Sequence, residues 1–346
     1  MQNVKAPRRR SITNAKTISD VANIAGVSPQ TVSRVLRNAP DVSDEARARV
    51  EEAILEVGYV PNMAARNLAS NRSMLVAAII PLLSSSAFGE TIQGAQEVLD
   101  AAGYQTFIGY TSYDPFREEN LVRSFLGRRP DGFLIVGTNH TQTTFDLLRQ
   151  SGLPVVETWD WADDPIDKLV GFSNRDAFST LLTAIADKGY RRPVFAGVID
   201  SGDYRAVARR EGFVATATKL WPGDQPRIVS LEDRPLTMAV GAETFKKILH
   251  DFPDTDIILF TSDIFAAGAI LVAPELNIKI PKDVAITGFG DYEISTQLHP
   301  KLTTVSVQAR RLGQISADVL IKAMQTKGVP HESIDLGYEI LMRESC

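Results

Sequence analysis

TISDVANIAGVSPQTVSRVLR, residues 17–37, is the stretch on which the reading of this chain turns. Thr17 stands three residues before Asp20, a variant of the capping box in which hydroxyl and carboxylate each satisfy the other's backbone N–H. Ile18, Val21, Ala22 and Ala25 then recur at helical spacing. Gly26 supplies a turn. Ser28 suits the cap of a second helix, with Pro29 at its first position, where a missing N–H costs nothing. Val32, Val35 and Leu36 give that helix an inner face and leave Gln30, Thr31, Ser33, Arg34 and Arg37 outside. Two short helices joined by a glycine turn predict a helix-turn-helix, whose second helix enters the DNA major groove. The outer side chains suit that groove: Gln pairs with adenine, Thr touches a thymine methyl, and Arg reaches guanine or phosphate. Periodicity alone fits equally a plain amphipathic helix pair with a polar outer face.

A third helix follows. Ser43 is its cap, Asp44 and Glu45 fill the first turn, Val50, Ile54 and Val57 form the buried stripe, and Gly58 ends it. Residues 17–60 therefore read as a three-helix headpiece. Before it, residues 1–16 form a flexible basic arm with Lys5, Arg8, Arg9, Arg10 and Lys16. The arm suits salt-dependent phosphate contacts or a solvated tail. After it, residues 61–72 read as a linker in which Asn62 caps a short alanine-rich helix with little to bury. Such a helix is marginal by itself.

From Ser73 the texture changes. Apolar runs at 74–81, 104–110, 133–136 and 155–159 alternate with amphipathic segments at 88–102, 116–128 and 143–150. After the polar stretch 160–167 the pattern restarts, with strands at 194–198, 227–231, 257–260 and 284–289 and helices at 204–220, 238–250 and 264–273. Proline or glycine punctuates the junctions, as at Pro130, Gly132, Gly152 and Pro154. Strand and helix in alternation predict a parallel, doubly wound α/β fold. Two such lobes in tandem predict a ligand cleft at the carboxyl ends of their strands.

Composition agrees. The chain has 346 residues, 44% of them hydrophobic and 23% charged, which suits a globular protein of more than one domain. Net charge is −5, but through Arg72 there are 11 Lys and Arg against 7 Asp and Glu, and beyond it 26 against 35. A basic module on an acidic body fits DNA binding confined to the N-terminal piece. The basic N-terminus lacks the apolar segment of a secretory signal, and the single cysteine, Cys346, permits no intrachain disulfide. Both point to the cytoplasm.

The headpiece resembles that of the LacI/GalR family of bacterial repressors. The matching residues are Ile18, Asp20, Val21 and Ala22, then Ala25 to Ser28, then Thr31 to Leu36. The resemblance implies a homodimer on a pseudo-palindromic operator in double-stranded DNA. It implies DNA contacts from Thr17, Ser19, Ser28, Pro29, Gln30, Thr31, Ser33 and Arg34. In the linker it implies contacts from Asn62, Arg66 and Leu68, the last a minor-groove wedge on a hinge helix that folds on DNA. For the body it implies a periplasmic-binding-protein-like core over residues 73–346, with lobe 1 from 73–162 and 294–325 and lobe 2 from 163–293 and 326–346.

The same resemblance implies ligand contacts from Arg209, Ser262, Asp263 and Asp291 in lobe 2. Ser84, Phe88, Glu157 and Trp159 would face them from lobe 1. Trp159 would stack on a sugar or sit in the core. Where many members carry Asp-Asp, this chain has Gly290 and Asp291, so a usual carboxylate is missing. The wording AGYQTFIGYTSYDPFREEN, LPVVETWD and VGFSN is similar to the gluconate-operon repressors, which implies a sugar-acid effector acting as inducer. A corepressor, or another sugar or sugar phosphate, is the alternative.

No catalytic, metal or cofactor motif stands out. His140, His250, His299 and His331 are scattered without metal spacing. Gly288-Phe289-Gly290 lacks the third glycine of a dinucleotide loop, and no nucleophile elbow or Walker sequence is present. The competing classes are a solute-binding protein, which would need a signal peptide and no headpiece, and a sugar-metabolising enzyme, which would need a catalytic set.

Overall fold

The computed structural model describes residues 16–36, 39–60, 72–197, 202–231, 234–326 and 330–346. The chain divides into two units, 1–73 and 74–346. In the first, α1 (Ile18–Ala25), α2 (Pro29–Leu36) and α3 (Asp44–Val57) follow the expected order. The capping box forms: the Thr17 N–H donates to Asp20 Oδ2 at 2.7 Å, and the Asp20 N–H donates to Thr17 Oγ1 at 3.3 Å. The Thr17 hydroxyl also donates to Asp20 Oδ2, at 2.9 Å, and the Thr17 N–H and hydroxyl together hold the Asp20 carboxyl below its ordinary pKa. Gly26 ends α1 at φ 64°, a left-handed conformation that a side chain would strain. Ser28 Oγ accepts the Thr31 N–H at 3.1 Å, and Ser43 Oγ accepts that of Ala46 at 3.3 Å. The core is small: Val21, Ala22, Ala25, Val32, Val35, Val50, Ala53 and Tyr59. Ala53 sits deeper in it than Ile54 and Val57, which pack at its edge.

The second unit contains two parallel sheets. The first runs through β1 (Leu75–Ile80), β2 (Gln105–Tyr110), β3 (Gly132–Val136), β4 (Val155–Thr158) and β5 (Lys168–Gly171). Helices α4 (Ser86–Ala101), α5 (Pro115–Leu126) and α6 (Gln142–Ser151) lie between the first four of these strands. Helix α7 (Asn174–Asp187) leads into the second sheet: β6 (Pro193–Gly197), β7 (Arg227–Ser230), β8 (Ile257–Phe260) and β9 (Ala285–Thr287). Its crossings are α8 (Tyr204–Leu220), α9 (Met238–Asp251) and α10 (Asp263–Val272). The short α11 (Ile294–Gln297), β10 (Thr304–Ser306), α12 (Ala309–Gln325), β11 (Ser333–Asp335) and β12 (Glu339–Leu341) complete the chain. β1, β3, β6 and β8 are apolar almost throughout and buried on both faces, as covered parallel strands must be.

Strand order is β11-β5-β4-β3-β1-β2 in the first sheet and β7-β6-β8-β9 in the second. Each order reverses next to its first strand, so each sheet has a switch point where a ligand crevice opens beyond the strands' carboxyl ends. A chain of aromatic rings links the lobes. Phe88 meets Trp159 at 5.0 Å, Trp159 meets Phe172 at 6.0 Å, Phe172 meets Phe289 at 6.4 Å, and Phe289 stacks on Phe178 at 5.8 Å.

The lobe boundaries differ from expectation in three places. β5 pairs in parallel with β4, so the first sheet continues past residue 162 to 171. Four residues containing a lysine carry too little pattern to announce a strand; Lys168 is buried with its ammonium on Asp167 at 2.9 Å. The tail does not simply end in the second lobe, because β11 pairs with β5. Only beyond it does the chain rejoin, where β12 pairs antiparallel with β10 and Ser345 Oγ donates to the Ile286 carbonyl at 2.6 Å. Residues 294–303 stay with the second lobe: Ser295 Oγ donates to Asp263, and Thr303 bridges to Thr287. The return to the first lobe is α12, where the Thr91 hydroxyl of α4 donates to the Ala309 carbonyl at 3.0 Å.

Candidate functional site

Two surfaces carry the chemistry. On the headpiece, Thr17, Ser19, Ser28, Pro29 and Gln30 are exposed, and Thr31, Ser33 and Arg34 are half-buried. Pro29 to Leu36 is one amphipathic helix, so Gln30 stands in solvent while Val32 and Val35 hold the helix to its partners. Ser28 Oγ also lies 3.0 Å from Thr31 Oγ1, which orients the Thr31 side chain. Arg34 forms an ion pair with Asp41. Asn62, Arg66 and Leu68 lie outside the described residues.

In the second unit, a cavity of about 330 Å³ opens between the carboxyl ends of the two sheets. From the first lobe come Leu82, Ser85 and Phe88 beyond β1, Ser112 and Tyr113 beyond β2, and Trp159 beyond β4. The second lobe contributes Asp203, Arg205 and Arg209 beyond β6, Arg234 beyond β7, Thr261, Ser262 and Phe265 beyond β8, and Phe289 and Tyr292 beyond β9. Apolar walls with a few convergent polar groups are the ordinary form of a small-molecule site.

Of the expected ligand residues, Phe88, Trp159, Arg209 and Ser262 line this cavity. Arg209 is buried, its Nη1 donates to Asn174 Oδ1 at 2.7 Å, and its guanidinium lies 4.6 Å from the Phe289 ring centre. Burial pulls its pKa below the ordinary arginine value. Asn174 is held in turn, its Nδ2 donating to the Trp159 carbonyl at 3.0 Å. Trp159 is wedged edge-on against Phe88 and Phe172, with its indole N–H donated to Thr91 at 2.9 Å. Trp159 is thus a buried core residue that also lines the wall.

Four expected residues are placed elsewhere. Ser84 is exposed, and its neighbour Ser85 takes the wall position because the chain is starting α4 there. Glu157 points away from the cavity, to the face of β4 that carries Val155, whereas the left-handed backbone at Trp159 (φ 71°) breaks the alternation and turns the indole to the Val156 face. It accepts from the Ile166 N–H at 2.5 Å and lies 3.1 Å from His140 Nε2. His140 Nδ1 is 2.6 Å from Glu118. Burial lowers the pKa of that imidazole, but its bonds to the two glutamates outweigh burial and lift it to about 9.

Asp263 is fully buried and is an internal acceptor rather than a wall residue. It receives the Tyr292 N–H at 2.7 Å, the Ser295 hydroxyl at 2.7 Å and the Thr304 hydroxyl at 2.6 Å. Burial raises its pKa to about 6 despite those donors. Gly288 leaves room for it: a Cβ there would lie 2.1 Å from Asp263 Oδ1. Asp291 turns out to pair with Arg343 at 2.6 Å, leaving Gly290 and Tyr292 in the wall.

Sequence reading missed Tyr113, Asp203, Arg205, Arg234 and Tyr292. One signal was available, because Arg205 precedes Arg209 by four residues and so shares its helix face. The others come from loops, where no periodicity marks which side chain turns inward. Among the described residues no group of three or more His, Cys, Asp and Glu side chains could hold a metal ion, and no helix is long and apolar enough to cross a membrane.

Known proteins carry the same arrangement. The lacI family of bacterial regulatory proteins matches residues 17–62, and a periplasmic binding protein-like domain matches residues 182–346. The HTH-type transcriptional regulator GntR of Pseudomonas aeruginosa is 33% identical over 345 residues, which is 100% of both chains. The regulator of the same name from Escherichia coli is 32% identical over 93% of this chain and 96% of that one. A LacI-family transcriptional regulator from Silicibacter pomeroyi has a solved structure that superposes with TM-score 0.89 at 37% identity, over 95% of this chain and 99% of that chain.

Proposed function

The chain belongs to the LacI family of bacterial regulatory proteins, and on that footing we propose that it is a homodimeric repressor that a sugar acid of the gluconate type releases from its operator. The observation that carries this reading is the pairing, in one chain, of a capped helix presenting Gln30 with a two-lobed cavity walled by Arg205 and Arg209. Gln30, Thr31 and Arg34 read the groove and phosphates, while Thr17, Ser19, Ser28, Pro29 and Ser33 position the helix on the backbone. Asn62, Arg66 and Leu68 serve the hinge and its minor-groove wedge.

Twofold DNA requires a twofold protein. Phe107, Ile108 and Tyr110 are exposed on β2, which closes one edge of the first sheet. An edge strand with exposed apolar side chains is a pairing surface that proteins seldom leave open to water. That edge supports assembly through the first lobes.

The effector acts by closing the lobes around the cavity, which displaces the first lobes of the dimer and unfolds the marginal hinge helices. The ligand must therefore bind the DNA-incompetent state more tightly. A hundredfold loss of operator affinity needs about 2.7 kcal/mol of coupling.

The test begins with selection of a bound duplex from a random library on the full-length protein. That duplex is then titrated by gel shift in gluconate, with glucose as the neutral comparison. A pseudo-palindromic duplex released by gluconate and not by glucose is the expected result. Release by neither sugar overturns the effector class, tightening by gluconate makes it a corepressor, and absence of any selected duplex overturns the DNA assignment.

A further inference from the structure

Among the described residues the charges on the cavity wall do not balance: three arginines, Arg205, Arg209 and Arg234, face one carboxylate, Asp203. Arg234 is drawn to Glu243. Arg205 and Arg209 both project from α8 into the cavity, and both are buried. Asp203 lies against the two together, with Oδ1 3.3 Å from Arg205 Nη2 and Oδ2 3.5 Å from Arg209 Nη2. Charge-assisted bonds of this kind close to about 2.7–2.9 Å when they are well formed. The contacts are therefore loose, and two buried atoms find no hydrogen-bond partner among the described residues: Asp203 Oδ1 and Arg209 Nε.

Asp203 also forgoes its local role. It stands immediately before α8, where an aspartate normally accepts a backbone N–H of the first turn, yet its side chain makes no capping bond. Its carboxylate is turned to the arginines instead. Asp160, behind Arg205, is committed elsewhere, accepting from the Thr138 hydroxyl at 3.2 Å and the Trp161 N–H at 2.9 Å.

The two guanidinium planes are fixed in advance. Arg209 lies over Phe289 and is tied to Asn174. Arg205 lies between the Phe88 ring at 5.5 Å and the Tyr113 ring at 5.8 Å. Held forks lose little freedom on meeting a planar oxyanion, which is what bidentate recognition requires.

We propose that Arg205 and Arg209 form a two-guanidinium seat for the anionic end of a polyhydroxylated effector, and that Asp203 is a placeholder which the incoming anion displaces. This rests on the reading of the cleft as the effector site and names the residues that set its preference for an acid over a neutral sugar. Arg205 is the specificity determinant. Arg209 already spends one nitrogen on Asn174, so without Arg205 a ligand anion would meet half a seat. A neutral polyol cannot offset the two cations and gains nothing from displacing Asp203. A carboxylate and a phosphoryl group share the required chemistry.

Isothermal titration of the full-length protein with gluconate, glucose 6-phosphate and sorbitol separates these sources and tests the seat. Wild-type protein is expected to bind one of the two anions and to reject sorbitol. Arg205→Gln is expected to weaken the anion by roughly ten- to a hundredfold, collapsing its preference over sorbitol. Arg205→Lys, which keeps the charge and loses the fork, should fall between, and a melting curve on each variant confirms that it is folded. Asp203→Asn, nearly isosteric, is expected to bind the anion more tightly than wild type. Anion binding unchanged in both Arg205→Gln and Asp203→Asn would overturn the seat and leave the effector site standing. Weaker anion binding in Asp203→Asn would overturn the placeholder. Binding of none of the three ligands by wild type would overturn the effector reading and the seat with it.

Discussion

The headpiece and the cleft present opposite solutions to holding functional side chains in place. In the headpiece the capping contacts that set the helices are local: Thr17 with Asp20, Ser28 with Thr31, Ser43 with Ala46, each three residues apart. Gln30 is presented because its own helix has nowhere else to point it. In the cleft the partners are remote. Asn174 holds Arg209 across 35 residues, and Asp263 gathers Thr304 across 41. The reading helix can thus be altered one side chain at a time, whereas the cleft is a set of mutual commitments that fail together.

That contrast is most exposed to attack at His140. Removing its ring leaves Glu118 and Glu157 facing each other in a buried site, and loss of one partner from such a set costs about 3–5 kcal/mol. His140→Ala is expected to lower the melting temperature of the second unit strongly and to leave headpiece helicity intact, as followed by calorimetry and circular dichroism. The pH dependence has a definite sign. The folded pKa, about 9, lies above the ordinary histidine value of 6.5, so the stabilisation is complete below pH 6.5 and is lost as pH rises through 9. A wild-type melting temperature that held steady across that interval would contradict the ion-paired assignment.

A smaller loss is expected in the headpiece. Val32 is fully buried in a core of eight residues, and Val32→Ala should cost about 2 kcal/mol there. Operator affinity should drop with it, while gluconate titration of the second unit stays unchanged; a shift in both would show the stability of the two units to be coupled. Gln30→Ala should touch neither stability, because its side chain is in solvent. It should change preference at one base pair per half-site by ~1–3 kcal/mol, read by repeating the duplex selection on the variant. Thr17→Ala removes half of the capping box and should cost about 1 kcal/mol of headpiece stability, visible as a modest shift in its thermal transition.

The same contrast explains which parts could be read before folding was known. The helix-turn-helix was legible to the residue, since capping and period-3.6 burial act within one or two turns. So were the long apolar strands such as LVAAII, buried on both faces. β5 and β11 were not, because strands of four and three residues are stabilised by the neighbours they join rather than by any pattern of their own. The place of Arg209 in the cavity wall was legible through the family resemblance. Asp263 looked like a ligand contact for the same reason, and only its three internal donors show it to be structural.

By itself the sequence determined the headpiece, the class of the body and the family, because helix capping, strand composition and glycine turns are short-range effects written in adjacent residues. Tertiary structure alone decided the cleft: that Ser85 rather than Ser84 faces inward, that Glu157 turns to His140, and that Asp203 leaves its helix cap to stand between two arginines. A buried polar atom takes whichever partner the converging strands bring within about 3 Å. Which partner that is depends on residues dozens of positions away, and no local pattern records it.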